Sequence, residues 1–367
     1  MTHGARSLLV LGMGVGLCAL SGSAAGAAGP ETQEEGALRA RLELVDRRPL
    51  PTALAGARDV RWKDAETLYL LDAHRGAVQV PGDLDGEPVV LIPRGSGPGE
   101  SWAPHRLASS ESFVAVGAQI NAVTWLDVGE GRAYGPEFYA GIMDMDLDGD
   151  RVAILGTHRD REGRWIPDGA IVRWGPLASL PYDLEPVLFS HDGPKASNMT
   201  RCGLLPLGGV RFLGDGRLVV VPGVQPGVFL IDPEGEVAKA WDSGEIGIVS
   251  SCDVSWEEWN RLSRLEPRRE WLTRRSTLDG LLPLGGEAGL IVRRPAPEAV
   301  RWDLVLLRRE GPLESLRLPI ESASPSAHLR ADILGDRIVF LLYEGLWPGR
   351  EPLQEPELLV FRWHDGR

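Results

Sequence analysis

Six copies of one short pattern run through this chain, and they limit what it can fold into more than any other feature. Each copy is a tight polar turn followed by a short run of β-branched or large apolar residues. The copies read DAETLYLLD from Asp64, SSESFVAVG from Ser109, LDGDRVAILG from Leu147, LGDGRLVVV from Leu213, LGGEAGLIV from Leu284 and LGDRIVFLL from Leu334. Self-similarity at intervals of tens of residues marks stacked units, each too small to bury its apolar face alone. Further strand-like runs follow each copy, such as AVQV from Ala77 and VVLI from Val89. Turns such as Asp232-Pro233-Glu234-Gly235 read as hairpins between them. Units of four antiparallel strands arranged radially predict an all-β fold, a six-bladed β-propeller.

The sixth unit stops at Arg367, one strand short. Ala37–Asp46, reading ALRARLELVD, predicts an N-terminal strand that closes the last blade and covers its edge. A helix over the same residues is the alternative. Between blades four and five, Ser255-Trp256-Glu257-Glu258 has the spacing of a capping box and leads into a helical pattern that ends at Pro267. This predicts a helical insertion over about 242–279. Trp256, Trp259 and Trp271 would pack it onto the ring, with ligand stacking as their alternative use. Residues 30–367 are then one propeller domain.

Residues 1–29 have the form of an export signal. Arg6 supplies the positive start, Ser7–Leu20 the apolar segment, and Ala25-Gly26-Ala27 a small-residue cleavage site. A membrane span needs about 20 apolar residues, and this segment is shorter. The expected location is therefore periplasmic or extracellular, with a lipid anchor on Cys18 as the alternative. Cys202 and Cys252 remain for an oxidising compartment and predict a disulfide, worth up to roughly 4 kcal/mol by the chain-entropy argument. The net charge of −13 gives no basic field for nucleic acid.

Connection lengths point to one face of the ring. The turns that open each copy are short, as at Asp148-Gly149-Asp150 and Gly335-Asp336. The long connections, Gly156–Gly169, Ser190–Gly209, Asp242–Asp279 and Tyr343–Pro356, fall on the opposite face. Loops on a rigid scaffold usually carry binding residues. The ligand-binding candidates there are His74, Arg94, Glu100, His105, His158, Arg164, His191 and Arg201, with Arg75 and Arg294 among further arginines. The string Asp144, Asp146, Asp148, Gly149, Asp150 resembles the first half of an oxygen-ligand calcium loop. Leu155 stands where such a loop needs its closing carboxylate, so calcium is the alternative to a plain structural turn.

Arg94-Gly95-Ser96-Gly97-Pro98-Gly99-Glu100, preceded by Val89–Ile92 and followed by Pro104, resembles the G-x-G-P-G-E loop of bacterial exported six-bladed propellers related to the NHL-repeat group. Leu68–Asp72 followed by Ala77–Val80 resembles that family's strand, turn and strand unit. The chain departs from the family at Ser101, where Phe is usual, and in showing the Gly-rich loop once. The resemblance implies the propeller fold and export, and it implies no single reaction. Glu100 either accepts backbone N–H groups of the loop or pairs with Arg94.

No Gly-x-Ser-x-Gly elbow or paired-histidine metal motif occurs. The expected function is binding without catalysis, of a protein, peptide or glycan, through the long-loop face. One alternative is a metal-assisted hydrolase or lyase at the central channel. Another is a structural module of an envelope assembly.

Overall fold

The computed structural model describes residues 41–118, 122–138, 142–156, 170–180, 184–189, 208–223, 226–249, 255–262, 274–296, 298–310, 312–345 and 354–364, with isolated positions at 264, 267, 270 and 271. The first strand, β1, is Leu42–Pro49. Blade 1 follows as β2 (Ala57–Asp64), β3 (Thr67–Asp72), β4 (Gly76–Pro81) and β5 (Val89–Pro93). Blade 2 is β6 (Pro104–Ser109), β7 (Phe113–Ala118), β8 (Ala122–Asp127) and β9 (Arg132–Phe138). Blade 3 is β10 (Ile142–Asp148), β11 (Arg151–Gly156), β12 (Ala170–Pro176) and β13 (Glu185–Phe189). Blade 4 is β14 (Gly209–Phe212), β15 (Leu218–Val221), β16 (Val228–Ile231) and β17 (Val237–Trp241). Blade 5 is β18 (Thr277–Leu284), β19 (Glu287–Pro295), β20 (Val300–Leu307) and β21 (Glu314–Ser322). Blade 6 joins β22 (Ala327–Leu334), β23 (Arg337–Glu344) and β24 (Glu357–Trp363) to β1. The fold is a six-bladed β-propeller.

β1 runs antiparallel to β24, from Leu42 opposite Trp363 to Pro49 opposite Glu357, with a bulge at Val45. It is displaced toward the C-terminus from the Ala37–Asp46 stretch read from the sequence. Between β17 and β18 in the chain the described residues include the short helices α1 (Ser243–Ile246) and α2 (Trp256–Leu262). Asp242 caps α1 by accepting the Gly244 N–H at 2.6 Å, and the Ser255 hydroxyl caps α2 by accepting the Glu258 N–H at 3.1 Å. Leu262 and Trp271 are buried against blades 3 and 4. The side chains of Trp256 and Trp259 lie outside the described residues.

The core sits between blades. Successive strand residues point to opposite faces of a sheet, and both faces of a blade are covered by its neighbours. Leu68 and Leu70 of β3 pack toward blade 6 with Val339 and Leu341, whereas Tyr69 and Leu71 pack toward blade 2 with Val114 and Val116. The same division recurs in β15, where Val220 meets blade 3 and Val219 meets blade 5. This is why the second strand of each unit is a continuous apolar run rather than an alternating one. Antiparallel order then fixes the two faces of the disc. The first-to-second and third-to-fourth strand turns emerge on one side. The second-to-third turns and the links between blades emerge on the other.

Candidate functional site at the channel mouth

The inner strands β2, β6, β10, β14, β18 and β22 border the axis, and each carries arginine, aspartate or both. Their outer neighbours use up one row of backbone groups, so the other edge needs partners. Aspartates of the adjacent blade supply them. Asp59 accepts the Leu107 N–H at 3.0 Å, joining blades 1 and 2. Asp144 and Asp146 accept the Val210 and Phe212 N–H groups at 3.0 and 2.9 Å, joining blades 3 and 4. Asp279 accepts the Leu329 N–H at 3.0 Å, joining blades 5 and 6. Asp332 accepts the Trp62 N–H at 2.7 Å, joining blades 6 and 1. A hydrogen bond to a charged group contributes about 1.5–3 kcal/mol, so each latch is a sizeable inter-blade link.

Arginines neutralise these buried acids. Arg211 of blade 4 donates to Asp146 of blade 3 at 3.0 Å and to Asp332 of blade 6. Blades 3 and 6 stand opposite each other, so this guanidinium ties the ring together across its axis. Burial would lower the Arg211 pKa, but Asp146, Asp332, Asp144 and Asp59 together raise it above the usual value, and the group stays charged. Asp279 is bound by the Trp302 indole N–H at 2.6 Å and by His328 Nδ1 at 3.0 Å. Burial works to raise the Asp279 carboxyl, but His328, Arg293 and the Trp302 N–H outweigh it and hold the pKa below the ordinary carboxylate value.

Toward the long-loop face the inner strands change character. The pairing of β2 with β3 slips past Arg58, and that of β6 with β7 slips past His105. β10 and β18 carry similar slips at Met143 and Asp279. A bulge leaves one residue out of the ladder and re-aims its side chain. At blades 1 and 2 the re-aimed residues are Arg58 and His105, next to Arg106. Arg106 is fixed by its Nε–H, which donates to the Met143 carbonyl at 2.8 Å and lies 3.2 Å from Asp144. Burial and the charges of Arg106, Arg330 and Arg58 push the His105 imidazole well below the usual histidine range, so it is neutral. Arg58 and Arg106 are themselves shifted down, in each case first by burial.

The Gly-rich link between blades 1 and 2 completes this mouth. The Arg94 N–H donates to the Arg75 carbonyl at 2.9 Å, and the Gly95 N–H to the Ser101 carbonyl at 3.1 Å. Glu100 resolves the choice left open by the sequence: its carboxylate accepts the Gly97 N–H at 2.7 Å, and it forms no ion pair with Arg94. A Cβ at Gly95 would overlap that carboxylate, which explains the glycine. The loop is pinned to blade 2 by Gly99 N–H to the Gly135 carbonyl at 2.8 Å and by the Thr124 hydroxyl to the Glu100 carbonyl at 2.9 Å. Its last residues hold Ala103 at φ 52° and leave Trp102 55% exposed.

The sequence candidates divide as follows. His74, Arg94, Glu100 and His105 all come to the blade 1 and 2 sector of the long-loop face. His74 and Arg75 form the β3–β4 turn, where their N–H groups donate to Asp72 at 2.7 and 3.0 Å. His158, Arg164, His191, Arg201, Cys202 and Cys252 lie outside the described residues, as do residues 1–29. Arg294 is engaged by Asp303 and by the Gly247 and Ile246 carbonyls. Asp144 and Asp146 serve backbone amides and arginines, and Asp148 ends β10 at the turn on the opposite face. Among the described residues no group of three or more His, Cys, Asp or Glu side chains is arranged to hold a metal ion. Sequence reasoning missed Arg58, Trp102, Arg106, Arg211 and Arg330. Their signal was an arginine or aspartate recurring inside each inner strand, as in DVRW, HRLA, VRFL and LRAD.

The chain matches no protein-family profile and no curated protein. Solved structures show the same fold. The WD40 repeats of RRP9 align with a TM-score of 0.54 at 11% identity, over 88% of this chain and all of that one. U3-55K aligns with a TM-score of 0.53 at 12% identity, over 87% of this chain and 99% of that one. A member of the DUF4221 family from Bacteroides vulgatus aligns with a TM-score of 0.52 at 11% identity, over 88% of this chain and 98% of that one. At these identities the likeness is one of fold.

Proposed function

We propose that this protein is an exported propeller, akin to the NHL-related group, that binds another protein through its long-loop face. In this reading β1 on β24 is the clasp that closes the ring. The helices between β17 and β18 form an insertion on the same face. The observation that carries the reading is a contrast in how polar groups are used. Along the axis the carboxylates serve as latches and are matched by arginines. At the blade 1 and 2 mouth a pinned loop offers a half-exposed Trp102 beside exposed Arg75 and Arg94. Tryptophan and arginine on a rigid support are the residue types that dominate binding at protein interfaces. β-Propellers commonly serve as protein-interaction scaffolds, which agrees with this use of the face.

A photo-crosslinking residue introduced at Arg75 on this face, and separately at Glu111 in the β6–β7 turn on the opposite face, tests the proposal. Adducts with another protein are expected from position 75 and absent from position 111. Adducts from position 111 alone, or from neither position, would overturn it.

A further inference from the structure

We propose that the blade 1 and 2 sector of this mouth binds an acidic peptide segment, with carboxylates on the arginine ridge and a large apolar side chain against Trp102. This rests on the reading of the face as a protein-binding surface and specifies the chemistry of what docks there. Two exposed arginines from separate elements meet in the sector, Arg75 in the β3–β4 turn and Arg94 at the start of the Gly-rich loop, while Arg106 on β6 is buried behind them and held by Asp144 and the Met143 carbonyl. Arg75 and Arg94 are neighbours through their backbone hydrogen bond, both are exposed, and neither takes part in an ion pair among the described residues.

The acids nearest to them are turned away from the surface, although the Asp72 Oδ2 atom has no hydrogen-bond partner among the described residues. Asp72 is buried and receives two backbone N–H groups of its own turn through one oxygen. Glu100 is turned inward onto the Gly97 N–H. Asp59 receives the Leu107 and Val60 N–H groups. The two guanidinium groups that reach solvent here, Arg75 and Arg94, therefore have no carboxylate partner among the described residues, while Asp72, Glu100 and Asp59 keep their charge beneath them. Such a patch stands out on a chain whose net charge is −13. That overall charge repels a long polyanion, so it favours a ligand whose negative charge is short and local.

Trp102 decides between kinds of anion. A half-exposed indole held by a pinned loop contributes apolar contact area at little cost in conformational freedom. An anion carrying its own aromatic or aliphatic group uses both features. Arginine's planar fork matches a carboxylate through two parallel hydrogen bonds, so side-chain carboxylates of aspartate or glutamate fit the ridge.

The test uses the full protein and a fluorescein-labelled Glu-Glu-Phe-Glu-Glu peptide, read by anisotropy. The double variant Arg75→Glu, Arg94→Glu is expected to weaken binding by about tenfold or more, because rim charges act on encounter and screening. Trp102→Ala is expected to weaken it by about threefold to tenfold. Raising ionic strength should weaken the wild type and leave the double variant little changed. Arg309→Glu, in the β20–β21 turn on the opposite face, should bind as the wild type does. Equal affinity for the peptide with Gln in place of Glu would overturn the inference. So would equal weakening by Arg309→Glu, or binding of polygalacturonate in preference to the peptide with no dependence on Trp102, which would indicate an acidic glycan. If crosslinks from position 75 persist while the acidic peptide fails to bind, the protein-binding face stands and this inference falls.

Discussion

The waist of the ring and its mouth at blades 1 and 2 contain the same residue types in opposite states of satisfaction. At the waist, Arg211 is buried between Asp146 and Asp332, and each of those aspartates also receives a backbone N–H from the next blade. At the mouth, Arg75 and Arg94 are exposed and form no ion pair among the described residues, and Asp72 and Glu100 beside them accept loop amides instead. A propeller has no single central core, because its apolar residues lie between blades. The axis is left to polar groups, and those must be matched to be stable there. The mouth escapes this demand because water reaches it. Its charges remain available for a partner. The comparison teaches that an arginine in this ring is read by what surrounds it: locked ones hold the blades, and unlocked ones are the surface that the proposed function assigns to recognition.

The strongest way to break the comparison is to remove the waist cation. Arg211→Ala takes the hydrogen-bonded cation from Asp146 and Asp332, leaving Asp146 only the more distant Arg61, and the loss of such a buried partner costs about 3–5 kcal/mol. Urea unfolding should show it as a large drop in midpoint. A change below about 1 kcal/mol would mean that the waist charges are hydrated and that no contrast with the mouth exists.

Asp279 offers the next largest effect and adds a pH signature. Asn in its place loses the charge that draws the His328, Trp302 and Leu329 donors, and removal of such a bonded charge costs about 1–3 kcal/mol. The groups facing it are His328, Arg293 and Arg330. Its carboxyl pKa is lowered in the folded state, against about 3.9 in an unfolded chain. A lowered pKa makes the folded state bind fewer protons, so its stabilisation is fully present above the unfolded value and is lost as pH falls through the folded one. The stability gap between wild type and Asp279→Asn should therefore hold steady from neutral pH down to about 4 and close below it. A gap that is already closing between pH 7 and 5 would assign the effect to another group.

How much of this was legible in the sequence follows from where the signals lie. The blade count was legible because each second strand, such as LYLL or IVFLL, is buried on both faces and cannot vary toward polar residues. The candidates His74, Arg94, Glu100 and His105 were legible because turn and link residues stand out between apolar runs. Arg58, Arg106 and Arg211 were not, since an arginine inside a strand reads as an outward-facing residue when the axis is unknown. Only closure of the ring turns that row inward. Trp102 was hidden for a different reason. It is followed by Ala103 in a left-handed backbone, a conformation that alanine does not announce.

The Gly-rich link sharpens the comparison at smaller magnitude. Glu100→Ala strips the Gly97 N–H of its acceptor and should cost about 1 kcal/mol. Hydrogen exchange at the Gly97 amide is the direct readout, and faster exchange there with unchanged exchange in β7 is expected. Unchanged protection at Gly97 would show that the loop is held by its ties to Gly135 and Thr124 alone.

The smallest effect is also the most discriminating. Arg75→Glu with Arg94→Glu should alter unfolding free energy by no more than about 0.5 kcal/mol, as for surface changes away from structural contacts. Trp102→Ala should behave likewise, since about half of the residue already faces water. Near-neutral stability combined with a large loss of peptide binding would separate the two regions cleanly, because the same arginine chemistry would then matter for folding at the waist and for recognition at the mouth. A stability loss above about 1 kcal/mol in the double variant would instead tie these arginines into the folded ring. The mouth would then be a second, more solvated waist, and the distinction drawn between the two regions would fail.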